Sequence, residues 1–416
     1  MIGIIGGTLW GNRGAEAMLV TTIGKIRERY PDQAIVIFSY LPDKDRQLIQ
    51  DQTIQIFSAR PVTLVLVHFL FSVFCAFFSL FRLRVPDKLL PKSVQVLRSC
   101  DVLLDISGIA FADGREKFLP FNIMVMLPAW LLRVPVVRLS QAMGSFKNPV
   151  NRVCAKFFLP LCDFIFARGR VTAQHLQELG LKNWAIALDI AFLYQPEFSL
   201  TNENDDKVAQ LEMHLRAWRQ AGKHVIGLSP SSVVYAKSIK RGIDYEAQFL
   251  QLITSLGSDY HFIFLPNATR EGSTTARNND LFVIDKIRKR ASADIQVRVL
   301  WCDFDINTAG SRRLIALCDA LVTSRFHGMI SGLSLGIPTA VIGWSHKYWE
   351  IMAEFGVEDF AIDFSDAESA VKMIHELIRS RDEIQAQLRQ KLPSVQQSSA
   401  SQFDRLEAYL AAQKSH

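Results

Sequence analysis

Arg325 and His327 stand two residues apart in Thr323-Ser324-Arg325-Phe326-His327-Gly328, and Gly336-Ile337-Pro338 follows. A guanidinium forks two oxygens of a carboxylate or phosphate. An imidazole can carry a proton near neutral pH. An adjacent arginine and histidine at the head of a small apolar helix rarely serve packing alone. The segment joins an expected strand over 320–323 to a helix over 328–335 that holds no acidic residue. Trp344-Ser345-His346-Lys347 follows the next expected strand. Lys347 sits at a helix start, where a cation is disfavoured unless an anion is present.

The first half of the chain has its own candidates. Gly6-Gly7-Thr8-Leu9-Trp10-Gly11-Asn12-Arg13-Gly14 follows an expected strand over 2–5 and leads into a helix. Glycines let backbone approach a ligand, and a helix N-terminus offers N–H groups to anions. The spacing is not G-x-G-x-x-G, and Asn12 stands where a P-loop needs Lys, so nicotinamide and NTPase readings fall. Gly11, Asn12 and Gly14 remain candidates for binding. Glu16 lies in the first helical turn, where an acid favours the helix dipole in any case. Ser107-Gly108 with Asp113-Gly114 follows a strand over 102–106; turn chemistry alone is the other reading. Arg168 ends a strand over 164–167 ahead of a helix, where it suits an anion or a surface salt bridge. No metal site emerges: Asp303-Phe304-Asp305 is a short D-x-D match, and the nine histidines show no H-x-x-x-H spacing. There is no G-x-S-x-G elbow.

The elements that must position these residues alternate between short apolar runs and helix-period segments. Strands are expected over 2–5, 34–39, 102–106, 134–139 and 164–167, with helices over 15–29, 117–132, 149–159 and 171–179. After a polar stretch over 195–207 the alternation restarts, with strands over 225–229, 262–265, 297–300, 320–323 and 339–342. Such alternation signals parallel sheets covered by helices. The expected fold class is α/β, with two doubly wound parallel-sheet (Rossmann-like) domains facing a cleft. The boundaries read as an N-terminal domain over 1–195, a linker and helix over 196–222, a C-terminal domain over 223–367 and a helical tail over 368–416. The run QQSSASQ (396–402) reads as a solvated loop. In open α/β sheets, ligands sit beyond the carboxyl ends of the strands, and every candidate above falls there. Such a cleft, rich in Arg, Lys and His, should bind a small, multiply anionic substrate and move a proton.

Composition narrows the class. The 416 residues are 49% hydrophobic, yet Lys and Arg exceed Asp and Glu by 47 to 41. The mean hydropathy is +0.13 and the pI near 9.0. Disorder and low complexity are excluded. The surplus is too small, and too little interleaved with aromatics, for nucleic-acid binding. Six dispersed cysteines read as buried free thiols in a reducing cytosol. The N-terminus has no basic n-region and reads as a strand, not a signal peptide. Residues 62–81 (VTLVLVHFLFSVFCAFFSLF) carry no fixed charge and open an apolar insertion over 62–98. Three readings stand: an interfacial or re-entrant docking helix, a buried helix pair, or a span. A span would separate strands of one sheet. Arg84, Lys88, Lys92 and Arg98 against the single acid Asp87 favour docking on an anionic leaflet.

G-N-R-G-A-E-A near the N-terminus, the Ser107-Gly108 and Asp113 turn, Arg168 ahead of a helix, Leu188-Asp189-Ile190-Ala191-Phe192, and S-R-F-H-G with the later Gly-Ile-Pro and Lys347 resemble the polysaccharide pyruvyl transferases, in that order. The likeness covers about residues 1–360. Ala15 departs from the family's frequent Asp, and the second domain's acid pair is reduced to Asn279-Asp280. The resemblance implies a GT-B-like fold and transfer of the enolpyruvyl group of phosphoenolpyruvate onto two sugar hydroxyls. The products are a pyruvate ketal and phosphate. The acceptor would be a cell-surface polysaccharide or its lipid-linked oligosaccharide precursor. Arg168, Arg325 and Lys347 then meet the donor's charges and His327 is the general acid. Gly11, Asn12, Gly14, Glu16, Ser107, Gly108, Asp113 and Ser324 line the substrates. Phosphoenolpyruvate is a co-substrate, and no cofactor or metal is required. The expected location is cytoplasmic, peripheral at the inner face of the membrane. The competing readings are a nucleotide-sugar glycosyltransferase of the same fold and a non-catalytic, membrane-docked component of an export complex. The first would want an acid on the helix after the motif loop to hold a ribose.

Overall fold

The computed structural model describes residues 1–195, 200, 204–270 and 278–414. The expected linker over 196–222 lies partly outside them. From Asp205 to Gln220 it is helix. The chain divides into two compact units. The first holds residues 1–10, 15–201 and 396–416, and the second holds 11–14 and 202–395.

The first unit carries an eight-stranded sheet. Its strands are β1 (Ile2–Ile5), β2 (Ile35–Ser39), β3 (Gln55–Ser58), β4 (Val102–Asp105), β5 (Ile109–Ala112), β6 (Val136–Gly144), β7 (Phe164–Arg168) and β8 (Trp184–Ala187). They run in the order β3-β2-β1-β4-β6-β7-β8, with β5 beside β6, and all pairs are parallel. The central strands IGII, IVIFS and VLLD are buried at every residue. Strands covered on both faces read as continuous apolar runs. Edge strands β3 (QIFS) and β8 (WAIA) are part-exposed; β3 lacks that run and β8 is only a short one, and neither they nor β5 are among the expected strands.

The second unit repeats the pattern with β9 (His224–Ser229), β10 (Tyr260–Phe264), β11 (Val299–Trp301), β12 (Ala320–Thr323), β13 (Thr339–Gly343) and β14 (Ala361–Asp363). Their order is β11-β10-β9-β12-β13-β14, again all parallel. The strand order reverses between β9 and β12, as it does between β1 and β4 in the first unit. Side chains leaving those strand ends face a ready-made crevice.

Four helices matter below: α1 (Arg13–Arg29), α2 (Pro61–Leu80), α3 (Phe326–Ser334) and α4 (Arg381–Lys414). The single helix expected over 117–132 is instead two short ones, Leu119–Met124 and Leu127–Leu131. The solvated loop expected over 396–402 is corrected too, because those residues lie inside α4. Val395, Ser399, Phe403, Leu406 and Leu410 are buried at helical spacing. The polar members of the buried face are satisfied: Ser399 Oγ donates to Asp189 O (2.9 Å), and Gln402 Nε2 to Leu188 O (2.9 Å). Composition read these residues as loop because buried polar contacts leave no apolar signature.

Two of the three readings of residues 62–81 fall. α2 turns Val62, Leu66, Leu70, Phe74, Phe77 and Leu80 to the outside, and its inward face carries His68, Ser72 and Cys75. Only 17% of its apolar window is buried, so it is not a core helix. β3 before it and β4 after it belong to one sheet, which rules out a span between them.

Candidate functional site

In the second unit, three loops at the carboxyl ends of neighbouring strands converge on one carboxylate. Asp280 is fully buried. Its oxygens accept from Ser232 N (2.9 Å) after β9, and from Asn267 N (3.0 Å) and Ala268 N (2.8 Å) after β10. The Arg325 guanidinium, after β12, closes on the same carboxylate through Nε (2.9 Å) and Nη2, and Nη2 also donates to Ser232 Oγ (2.9 Å). A buried carboxylate persists only when paired and hydrogen-bonded. Asp280 meets both conditions, so it ties the site's loops together.

Ser324 is fixed from two sides. Tyr245 Oη donates to its hydroxyl (2.6 Å) and Tyr348 Oη to its carbonyl (3.1 Å). Burial pushes the Tyr245 phenol up, and pushes Tyr348 up to about 12, so both stay neutral donors. Arg325 occupies the N-cap position of α3, with no side-chain capping bond, which places His327 in the helix's first turn. α3 lies close on the sheet because its glycines allow it. A Cβ on Gly328 would stand 2.6 Å from Thr323 Oγ1, and one on Gly332 would stand 2.2 Å from Thr339 Oγ1.

Residues 11–14 of the N-terminal glycine-rich loop belong to this site. Arg13 N donates to Asn267 O (3.0 Å), Thr269 N to Gly11 O (3.1 Å), and Arg270 Nη1 to Gly11 O (2.8 Å). Asn12 caps α1, its Oδ1 accepting from Gly14 N (3.1 Å). Buried Arg13 lies 3.5 Å from Asp305, and Thr308 Oγ1 donates to Arg13 O (3.0 Å). Gly14 lies directly against His327: a Cβ there would be 2.1 Å from Nδ1. Gly11 has φ +71° and its own close neighbour in Arg270.

The structure therefore brings Gly11, Asn12, Gly14, Ser324, Arg325 and His327 together. Lys347 is half-buried in the first turn of the helix His346–Phe355, after β13. Beside Trp344, Lys237 adds a cation 3.9 Å over the indole ring. Sequence reasoning missed Asp280 as the hub, and missed Ser232, Tyr245 and Arg270. Ser231, a serine N-cap two residues after a strand, was a local signal available for Ser232.

The other candidates lie in the first unit. Gly6, after β1, approaches Ser107 so closely that a Cβ would stand 2.2 Å from its Oγ. Gly108 lies against Arg168, whose Nη2 would be 3.3 Å from a Cβ there. Arg168 Nε donates to Ser140 O (2.7 Å), and Nη2 pairs with buried Asp189 at 3.1 Å. Burial pulls the Arg168 guanidinium down against the pull of Asp189. Like Arg325, Arg168 is thus held by a carboxylate, which fixes its direction and offsets its charge. Glu16 is buried in the first turn of α1. Asp113 stands apart. Its carboxylate accepts from Ser145 Oγ (3.0 Å), Lys147 N (2.7 Å) and Asn151 Nδ2 (2.7 Å). Burial pushes its pKa up, but these bonds outweigh burial and hold it below the usual range. It organises the 145–151 loop.

The family model for polysaccharide pyruvyl transferases matches residues 12–346. The amylovoran biosynthesis protein AmsJ of Erwinia amylovora is 21% identical over 403 residues, covering 92% of this chain and 94% of AmsJ. Among solved structures, S. aureus MnaA with UDP superposes with TM-score 0.59 at 12% identity, covering 99% of this chain and 96% of that one. Anabaena HepE with UDP and glucose gives 0.54 at 14%, covering 99% of each chain. At such identities these two show the fold alone, and the expected GT-B-like class holds.

Proposed function

The chain belongs to the polysaccharide pyruvyl transferase family, and from that premise we propose that it moves the enolpyruvyl group of phosphoenolpyruvate onto two sugar hydroxyls. The observation that carries this reading is His327, seated on Gly14 at the carboxyl end of β12 beside the Arg325–Asp280 pair. A proton donor fixed in a crevice beside cations suits an enol substrate bearing a carboxylate and a phosphate.

His327 delivers a proton to the methylene carbon, leaving positive charge on the carbon that bears the carboxylate and phosphate. One sugar hydroxyl attacks that carbon and gives its proton to the now neutral His327 imidazole. The C–O bond to phosphate then breaks. The second hydroxyl adds to the same carbon, closing the ketal and giving up its proton to solvent or phosphate. Arg325 and Lys347 offset the donor's charge, and Ser324, Gly11 and Asn12 shape its seat. No redox step occurs, and the reaction as written is complete without a cofactor. By the same reading, Ser107 and Gly108 in the first unit serve the sugar acceptor, with Glu16 and Asp113 supporting them. A relative in amylovoran biosynthesis supports a cell-surface polysaccharide or its lipid-linked precursor as acceptor. The exposed apolar stripe of α2 supports a protein held at the cytoplasmic face of the membrane.

The test is phosphate release from phosphoenolpyruvate across a panel of lipid-linked sugar acceptors. His327→Ala should lose roughly 10²–10⁴-fold, as expected for a general acid. Near-normal turnover by that variant would overturn the assignment. Thermal stabilisation by a sugar nucleotide, with none by phosphoenolpyruvate, would favour a glycosyltransferase instead.

A further inference from the structure

At the end of α2 the chain builds a cavity of about 790 Å³ lined by Arg82, Arg84, Arg98 and Arg133, with Cys75, Leu80 and Leu132 among its apolar walls. Arg98 is committed to the protein: Nη1 donates to Val85 O (2.9 Å), and Nη2 pairs with Asp87. Arg82, Arg84 and Arg133 are exposed, and none has a carboxylate partner among the described residues. Three exposed guanidiniums without a counter-charge make a positive patch that suits a phosphate.

The surface leading to this cavity is apolar. Leu66, Leu70, Phe74, Phe77, Leu80 and Phe81 form one stripe, and Leu80 is 79% exposed. The short helix Leu127–Leu131 packs on α2 and adds Trp130, which is 45% exposed. Indole rings favour the boundary between hydrocarbon and headgroups. An apolar stripe running into an arginine-lined cavity matches a phospholipid, with chains along the stripe and the phosphate in the cavity.

We infer that Arg82, Arg84 and Arg133 bind the phosphate headgroup of an anionic membrane lipid, which seats α2 in the leaflet. The inference rests on the docking reading of α2 but not on the pyruvyl-transfer reading. The test is flotation of the full-length protein with phosphatidylglycerol-rich vesicles and with pure phosphatidylcholine vesicles. Wild type should float with the former and far less with the latter. The triple variant Arg82→Glu/Arg84→Glu/Arg133→Glu should bind the anionic vesicles roughly 100-fold more weakly, with an unchanged melting temperature. The triple lysine variant should retain most binding. Inorganic phosphate at millimolar concentration should not displace the protein.

Unchanged flotation of the triple glutamate variant would overturn the headgroup site and leave the apolar stripe as the sole anchor. Displacement by inorganic phosphate would overturn it in favour of a soluble-anion site. Wild type that floats with neither vesicle would overturn docking itself. Phosphate release from phosphoenolpyruvate with a soluble sugar acceptor is then measured separately, so failure of docking and failure of the reaction are told apart.

Discussion

The imidazole of His327 lies against the Cα of Gly14, so that any side chain at position 14 would overlap Nδ1. This is the reason for a glycine inside the first turn of α1, where glycine is otherwise a poor helix former. Gly14→Ala places a methyl 2.1 Å from that nitrogen, so the ring must move. A displacement of about 1 Å at a reacting group costs on the order of 10²-fold in rate. Gly14→Ala should therefore lose about that much phosphate release while gaining slightly in helix propensity. Turnover within a few-fold of wild type, with the melting temperature held, would show that the ring's position does not matter.

Asp280 predicts a structural effect alongside a catalytic one. It holds the loops after β9 and β10 by backbone hydrogen bonds and the loop after β12 through the Arg325 guanidinium, whose charge it balances. Removing one partner of a buried pair costs roughly 3–5 kcal/mol, mostly from the charge left behind. Asp280→Ala should destabilise the second unit by about that amount. The double variant Asp280→Ala/Arg325→Ala should cost less than the sum of the two singles. Additive denaturation midpoints would show that the two residues are not coupled.

These two residues also show what the sequence could reveal. His327 and Arg325 were legible because two ionisable side chains at the head of an apolar helix have no packing role. Asp280 was noted only as half of a reduced acid pair. Its importance arises because distant loops converge on it, and no local pattern encodes that convergence. The central strands were legible for the opposite reason: covered on both faces, they read as unbroken apolar runs. Edge strands such as Gln55–Ser58 carry no such run and pair only through the sheet. The arginine pairings with Asp189 and Asp280 were likewise invisible, since each joins residues brought together by topology.

The end of α4 makes a prediction that composition alone reverses. Phe403 is 1% exposed, and Arg29 lies over its ring at 5.8 Å. Phe403→Ala should destabilise the first unit by about 3–5 kcal/mol. Gln397→Ala, at an exposed position in the same helix, should stay within about 0.5 kcal/mol of wild type. Equal, small effects on the unfolding transition would show that this face of α4 does not pack in the first unit.

His68 predicts a pH dependence whose sign follows from its setting. It is 1% exposed on the inward face of α2, edge-on to Phe38 at 5.6 Å, and its Nε2 has no hydrogen-bond partner among the described residues. Burial disfavours the imidazolium and pulls the pKa from 6.5 down to about 4. In the unfolded chain His68 takes up its proton near 6.5, whereas in the folded chain it does so only near 4. Between those values the unfolded state binds the extra proton. The stabilisation is therefore complete above 6.5, is lost progressively as pH falls, and is gone near 4. The gap of about 2.5 units corresponds to roughly 3 kcal/mol. His68→Phe keeps the volume and removes the titration. Its stability should fall by about 3 kcal/mol less than wild type's between neutral pH and pH ~4. Parallel denaturation curves for the two proteins across that range would show that His68 is not held neutral by burial.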